Sequence, residues 1–170
     1  FRLRGRGPSQ AAAMMAELCR QYNVGFDTEI LSLAASKLEG NPMYIKKIVL
    51  AARRAGVGLA TLKDFIDLYA KELFDGNIGL ALRSSLRVRG SVDLSVLNAV
   101  ATAPAPTTEQ ALAARFSASV ESIREALEGF CAQGLVALNL GSVGWAGDNV
   151  ARDFVRYNNE VLTHGRSAEE

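Results

Sequence analysis

The residues that first invite a chemical reading are Gly40-Asn41-Pro42, with Met43-Tyr44-Ile45 behind them. Glycine suits the position just past a helix end, where a left-handed backbone is needed. Asparagine is a strong N-cap, and proline at the first helical position loses only an N–H that has no partner there. One helix is therefore expected to stop at about Glu39 and another to start at about Pro42. A helix start offers free N–H groups and the positive end of a dipole, which suits a phosphate. A tight helix-to-helix turn uses the same residues with no ligand, and the local sequence leaves both readings open.

Other familiar chemistry is missing from the chain. No GxxxxGK[ST] phosphate loop occurs, and no apolar run ends in paired acids that could hold magnesium. The only histidine, His164, falls in a polar tail, which argues against a histidine-based triad. Gly141, Gly144 and Gly147 recur every third residue, but in an expected hairpin, where glycine serves turns. Cys19 and Cys131 fit neither a disulfide framework nor a zinc site, and each sits in an apolar helical stripe as a buried reduced thiol. The chain by itself is expected not to be an enzyme.

Composition sets the frame. The 170 residues suffice for one domain or two small ones, and 49% hydrophobic residues can supply a core. A formal charge of +1 argues against a strongly electrostatic nucleic-acid binder while leaving room for a local patch. No apolar run reaches the roughly 18 residues of a membrane span. The opening Phe1-Arg2-Leu3-Arg4 alternates like the end of a strand. The chain reads as a piece of a longer, cytoplasmic protein.

Helical stripes must position these residues. Ser9 is the expected cap of a first helix through Tyr22, with Met14, Met15, Leu18, Cys19 and Tyr22 on one face. Asp27 or Thr28 caps a second, closed by Gly40. A third runs from Pro42 to about Ala55, and Thr61 with Asp64 forms a capping box for a fourth that ends at Phe74. A connecting helix is expected over Asn77 to Arg87, with a break at Gly90-Ser91. Beyond it come a helix over Asp93 to Ala103, a short helix opened by Thr107 and Gln110, and a helix capped by Ser117 or Ser119. Leu135–Leu138 and Val143–Ala146 then read as a hairpin turning at Leu140-Gly141-Ser142. A closing helix spans Asp148 to Leu162, and the tail from Thr163 is polar. The expected class is mainly α. Residues 1–76 form a small four-helix bundle, 77–90 a connecting helix, 91–163 a winged-helix domain with a short β-hairpin and a closing helix, and 164–170 a polar tail.

That order resembles the C-terminal part of a STAND-type AAA+ P-loop ATPase, in which a helical lid follows the nucleotide-binding core and a winged helix follows the lid. The lid of that family carries a GxP motif, matched here by Gly40-Asn41-Pro42 within Leu38-Glu39-Gly40-Asn41-Pro42-Met43-Tyr44-Ile45. The resemblance covers about residues 1 to 160. It implies that Gly40, Asn41 and Pro42, with Tyr44, touch ATP or ADP held mainly by an N-terminal P-loop core that precedes Phe1. It also implies no cofactor for this chain alone.

A winged helix commonly docks its third helix in the DNA major groove. Here that helix, Ser119 to Cys131, carries Glu121, Glu125 and Glu128 against Arg124, and the wing tip Asn139–Ser142 has no cation. DNA affinity leans on Lys and Arg contacts to phosphate, so the expected role is protein contact or packing. Arg115, Ser117, Ser119, Ser122 and Arg124 remain the candidate nucleic-acid contacts. The alternatives are therefore a DNA-binding regulator, or a ligand-free protein-interaction module whose closing helix offers its apolar face to a partner. Positive charge gathers elsewhere: Arg2, Arg4 and Arg6; Lys46, Lys47, Arg53 and Arg54; and Arg83, Arg87 and Arg89. Solvated helix faces explain such runs in most proteins. An interface with the core or with nucleic-acid backbone is the sharper reading.

Overall fold

The computed structural model describes residues 7–88 and 91–164. The expectations for Phe1–Arg6, Arg89, Gly90 and residues 165–170 lie outside them. The described residues are mainly helical, with a small three-stranded antiparallel sheet. It divides into two compact units, parting between Ala81 and Leu82.

The N-terminal unit holds α1 (Pro8–Gln21), α2 (Thr28–Lys37), α3 (Pro42–Ala55) and α4 (Leu62–Phe74). A fifth helix, α5 (Asn77–Ser85), starts in this unit and runs past the division. It stops short of the expected Arg87. The cap of α1 is Gly7 rather than Ser9. Pro8 brings its own helical φ to the first position, so the helix starts two residues earlier and encloses Ser9 in its first turn. Asp27 caps α2, accepting from the N–H groups of Glu29 and Ile30 at 2.8 and 3.1 Å. Thr61 caps α4: its hydroxyl accepts from Asp64 N–H at 3.1 Å and donates to the Asp64 carboxylate at 2.6 Å.

Helix α1 packs on α2 and α3, and α4 on α3 and α2. Met15, Cys19, Leu31, Leu38, Ile45, Ile48 and Leu73 are fully buried between them. Two loops are tied together below this core. Leu59 N–H donates to Gly25 C=O at 2.7 Å, and Asp27 N–H donates to Leu59 C=O at 3.1 Å. The apolar stripe read for α4 divides. Phe65, Leu68, Tyr69 and Leu73 face inward, whereas Leu62 and Ile66 are exposed.

The C-terminal unit contains α6 (Ser91–Thr102), β1 (Thr107–Thr108), α7 (Glu109–Phe116), α8 (Val120–Ala132), β2 (Val136–Asn139), β3 (Ser142–Trp145) and α9 (Asn149–His164). The strands lie in the order β1-β3-β2, all antiparallel. Thr107 pairs with Val143 and Thr108 with Ser142, and the next helix begins at Glu109, so Thr107 lies one residue too far back to cap it. Thr108 caps α7 instead, accepting from Ala111 N–H at 3.1 Å. Ser119 caps α8. The hairpin turns on Leu140 and Gly141 alone, with φ of 49° and 81°. Both residues are left-handed, as a two-residue turn between twisted strands requires. Ser142 is already strand, opposite Asn139.

Helix α6 sits at the centre of this unit, against α7, α8, α9 and β3. Arg152 of α9 reaches its end and donates to the carbonyls of Ala101 and Ala103 at 2.7 and 3.2 Å. These carbonyls have no further helical turn to pair with, so the guanidinium closes the helix. Val150, Ala151, Phe154 and Val155 bury the apolar face of α9, while Tyr157 stays exposed. The closing helix therefore uses most of its described apolar face within its own unit. It also continues through Thr163 and His164, two residues beyond the expected end.

Candidate functional site

The junction of α2 and α3 is built from backbone. Helix α2 ends at Lys37, two residues before the expected Glu39. Glu39 and Gly40 are both left-handed, with φ of 52° and 63°. Leu38, Glu39 and Gly40 turn their N–H groups back to the carbonyls of Ala34, Ser36 and Ala35 at 2.9 to 3.0 Å. The end of α2 is thereby satisfied and the chain reversed. Asn41 is extended, and its side-chain oxygen accepts from Met43 N–H at 3.0 Å. Pro42 opens the helix.

The four candidate ligand residues are thus contiguous but face different surroundings. Gly40 is buried, Asn41 and Pro42 are half-buried, and Tyr44 is packed into the unit's core at 3% exposure. Met43 stands out at 41%. Asn41, Pro42 and Met43 are the residues of this junction that a ligand could reach, whereas Tyr44 is buried.

The second candidate region is the turn between α7 and α8. Ser117 is left-handed, with φ of 50°, and ends α7. Ser119 accepts from Ser122 N–H at 3.1 Å. Arg115 lies over its neighbour Phe116, with the guanidinium 5.5 Å from the ring centre. Arg124 donates twice to one Glu109 carboxylate oxygen, at 2.8 and 3.1 Å. That bond raises its pKa further above the ordinary arginine value, helped by the charges of Glu109, Glu121 and Glu128. The turn brings Arg115, Ser117, Ser119, Ser122 and Arg124 together, but Ser119 serves as a cap and Arg124 is engaged by Glu109. Glu121, Glu125 and Glu128 are exposed and share one stripe of α8 at four- and three-residue spacings.

Most of the cationic face of α3 is engaged within the N-terminal unit. Arg53 covers Tyr22 at 5.5 Å, Lys47 donates to Asn77 C=O at 3.2 Å, and Arg54 bonds Glu72 at 3.1 Å. Lys46 is exposed. Glu72 was not distinguishable by sequence from the solvated acids, yet it is buried at 5% exposure. Its only signal is the glycine four residues on, since a Cβ at Gly76 would come within 2.5 Å of Glu72 Cα.

No family model matches the chain, and no curated protein or solved structure matches it. Its own side chains must therefore speak for its chemistry. Among the described residues, no three His, Cys, Asp or Glu side chains gather to hold a metal. Burial pushes the Cys19 thiol up to about 11, with Arg20 pulling slightly the other way. A thiolate is the nucleophile, so Cys19 is inert at neutral pH. Cys131 is half-buried and shifted upward by the same cause. Among the described residues, no helix is long and apolar enough to cross a membrane.

Proposed function

We propose that this chain is the helical lid and winged helix of a STAND-type AAA+ ATPase of the cytoplasm. In this reading the N-terminal unit is the lid. It sets Asn41 and Pro42, backed by Gly40 and Tyr44, against ATP or ADP bound mainly by a P-loop core. The C-terminal unit is a winged helix that makes protein contacts, and the chain itself carries no catalytic group. One observation carries the reading: a helical unit with a capped Gly-Asn-Pro junction is followed by the order α6-β1-α7-α8-β2-β3, with sheet order β1-β3-β2.

The junction is tested in the protein that joins this chain to its P-loop core. Pro42→Ala removes two methylenes, each worth about 0.8 kcal/mol when buried. ADP affinity is then expected to fall by about tenfold. The Asn41 cap remains, so the thermal midpoint should barely move. Unchanged ADP affinity would overturn the contact, as would robust ATP turnover by this chain alone.

Protein rather than DNA is favoured as the partner of the winged helix because α8 presents Glu121, Glu125 and Glu128, and its single arginine is bonded to Glu109. Phosphate contacts need free cations. Duplex DNA is therefore expected to show no mobility shift with this chain, even at low salt. A shift that weakens steeply with added salt would instead favour a DNA-binding regulator.

A further inference from the structure

Three charged side chains converge on Asn77, the first residue of α5. Glu72 Oε2 accepts from Asn77 N–H at 3.0 Å and so caps the helix. Its other oxygen accepts from Arg54 Nη2 at 3.1 Å. With its amide oxygen turned toward α3, Asn77 also accepts from both terminal nitrogens of Arg54, at 2.9 and 3.0 Å. Lys47 Nζ donates to Asn77 C=O at 3.2 Å. The Glu72 side chain is 7% exposed and that of Arg54 is 55% exposed. Glycine makes the approach feasible: a Cβ at Gly79 would lie 2.3 Å from Leu73 O, and one at Gly76 would strike Glu72.

A helix needs only one side chain to cap its first turn. Here α4 supplies that cap through Glu72, and α3 adds Lys47 and Arg54. We propose that Glu72, Arg54, Lys47 and Asn77 form a latch that fixes the first turn of α5 to α3, so that the two helices move as one lever. The far end of α3 is the Asn41–Pro42 junction, and α5 runs beyond the N-terminal unit. A displacement at the junction is thereby carried into the connecting helix. Its use as a nucleotide-driven signal rests on the proposed function; the mechanical link does not.

The test is site-resolved amide exchange on the whole chain, read at Ile78–Leu80. Glu72→Gln keeps the shape but removes the charge that Arg54 and Asn77 hold. Exchange there is expected to rise by about tenfold or more, because hydrogen bonds to a charged group are lost. The amides of α1 should not change. Arg54→Gln, at a half-exposed position, should act in the same direction if Glu72→Gln fails to fold. A merely local cap would give this result too, so the deciding arm is Asn41→Ala, which loosens α3 at its other end. It should speed exchange at Ile78–Leu80 in the native background and lose that effect once the latch is removed. No response of α5 to Asn41→Ala in the native background would overturn the lever, as would an equal response in both backgrounds. Neither readout uses nucleotide, so failure of Pro42→Ala to weaken ADP binding would not mimic failure here.

Discussion

Alanine at position 79 is expected to destabilise the N-terminal unit by about 2 kcal/mol, against its helix propensity. In an unobstructed helix interior, glycine to alanine adds roughly 1 kcal/mol of stability. Gly79 is not unobstructed. The new methyl would sit 2.3 Å from the carbonyl oxygen of Leu73 and 3.0 Å from its carbon. Both atoms belong to backbone at the end of α4, and no rotamer change can move them. Overpacking of this kind costs about 1–3 kcal/mol, occasionally more. With the clash at or above the top of that range, the propensity gain offsets only part of it. Gly129 in α8 supplies the control, since nothing lies within 4 Å of a Cβ there. Gly129→Ala should stabilise by about 0.5–1 kcal/mol. Urea unfolding, followed by tyrosine near-ultraviolet dichroism for the first variant and Trp145 fluorescence for the second, should give shifts of opposite sign. A neutral Gly79→Ala would mean that α5 does not approach α4 as closely as the structure has it.

The contrast between those two glycines shows what the sequence could and could not disclose. Both sit in helical patterns, and nothing local separates them. What separates them is the distance to a neighbouring helix, which no periodicity encodes. Local signals fared better wherever the physics was local. Asp27, Asn41, Thr61 and Ser119 cap their helices because a short oxygen-bearing side chain reaches an N–H two or three residues on. The same logic erred by one residue at Thr107. Two adjacent threonines compete there, both in a strand too short to leave an alternating pattern, and only the second adjoins the first helical residue, Glu109. Ser9 lost to Pro8 for another local reason, the proline's fixed φ. Arg87 is not the end of α5, because its backbone is held by Gln133, with bonds of 2.8 and 3.0 Å across 46 positions.

The candidate junction was legible for the same local reason and incomplete for the same distant one. Gly40-Asn41-Pro42 announces a helix break by residue type alone. That Tyr44 is buried leaves no mark in its neighbours, and that Lys47 and Arg54 turn toward Asn77 and Glu72 depends on partners about 20 to 30 positions away. Glu72 is the extreme case. Its neighbours Lys71 and Asp75 are exposed, and only the tertiary approach of α5 turns it from a surface acid into a buried cap.

Helix α8 allows scaffold and surface to be separated in one experiment. Its inner stripe is Ile123, Leu127 and Phe130, at four- and three-residue spacings, and all three are fully buried. Its outer stripe is Glu121, Glu125 and Glu128. Phe130 is among the largest fully buried side chains, at 1% exposure. Phe130→Ala is expected to cost the C-terminal unit about 3–5 kcal/mol, the sum of lost apolar burial and the cavity left behind. That is a large part of the stability of a small domain, so the Trp145 unfolding transition should move to much lower urea or disappear. Glu125→Ala should change stability by less than about 0.5 kcal/mol, as exposed positions without a cap or an ion pair do. If the outer stripe meets a protein partner, Glu125→Ala weakens that contact while leaving the transition in place. Phe130→Ala removes both together. Equal, small effects of the two substitutions on unfolding would mean that α8 is not seated on its apolar stripe, and the acidic face could then no longer be placed on the exposed side.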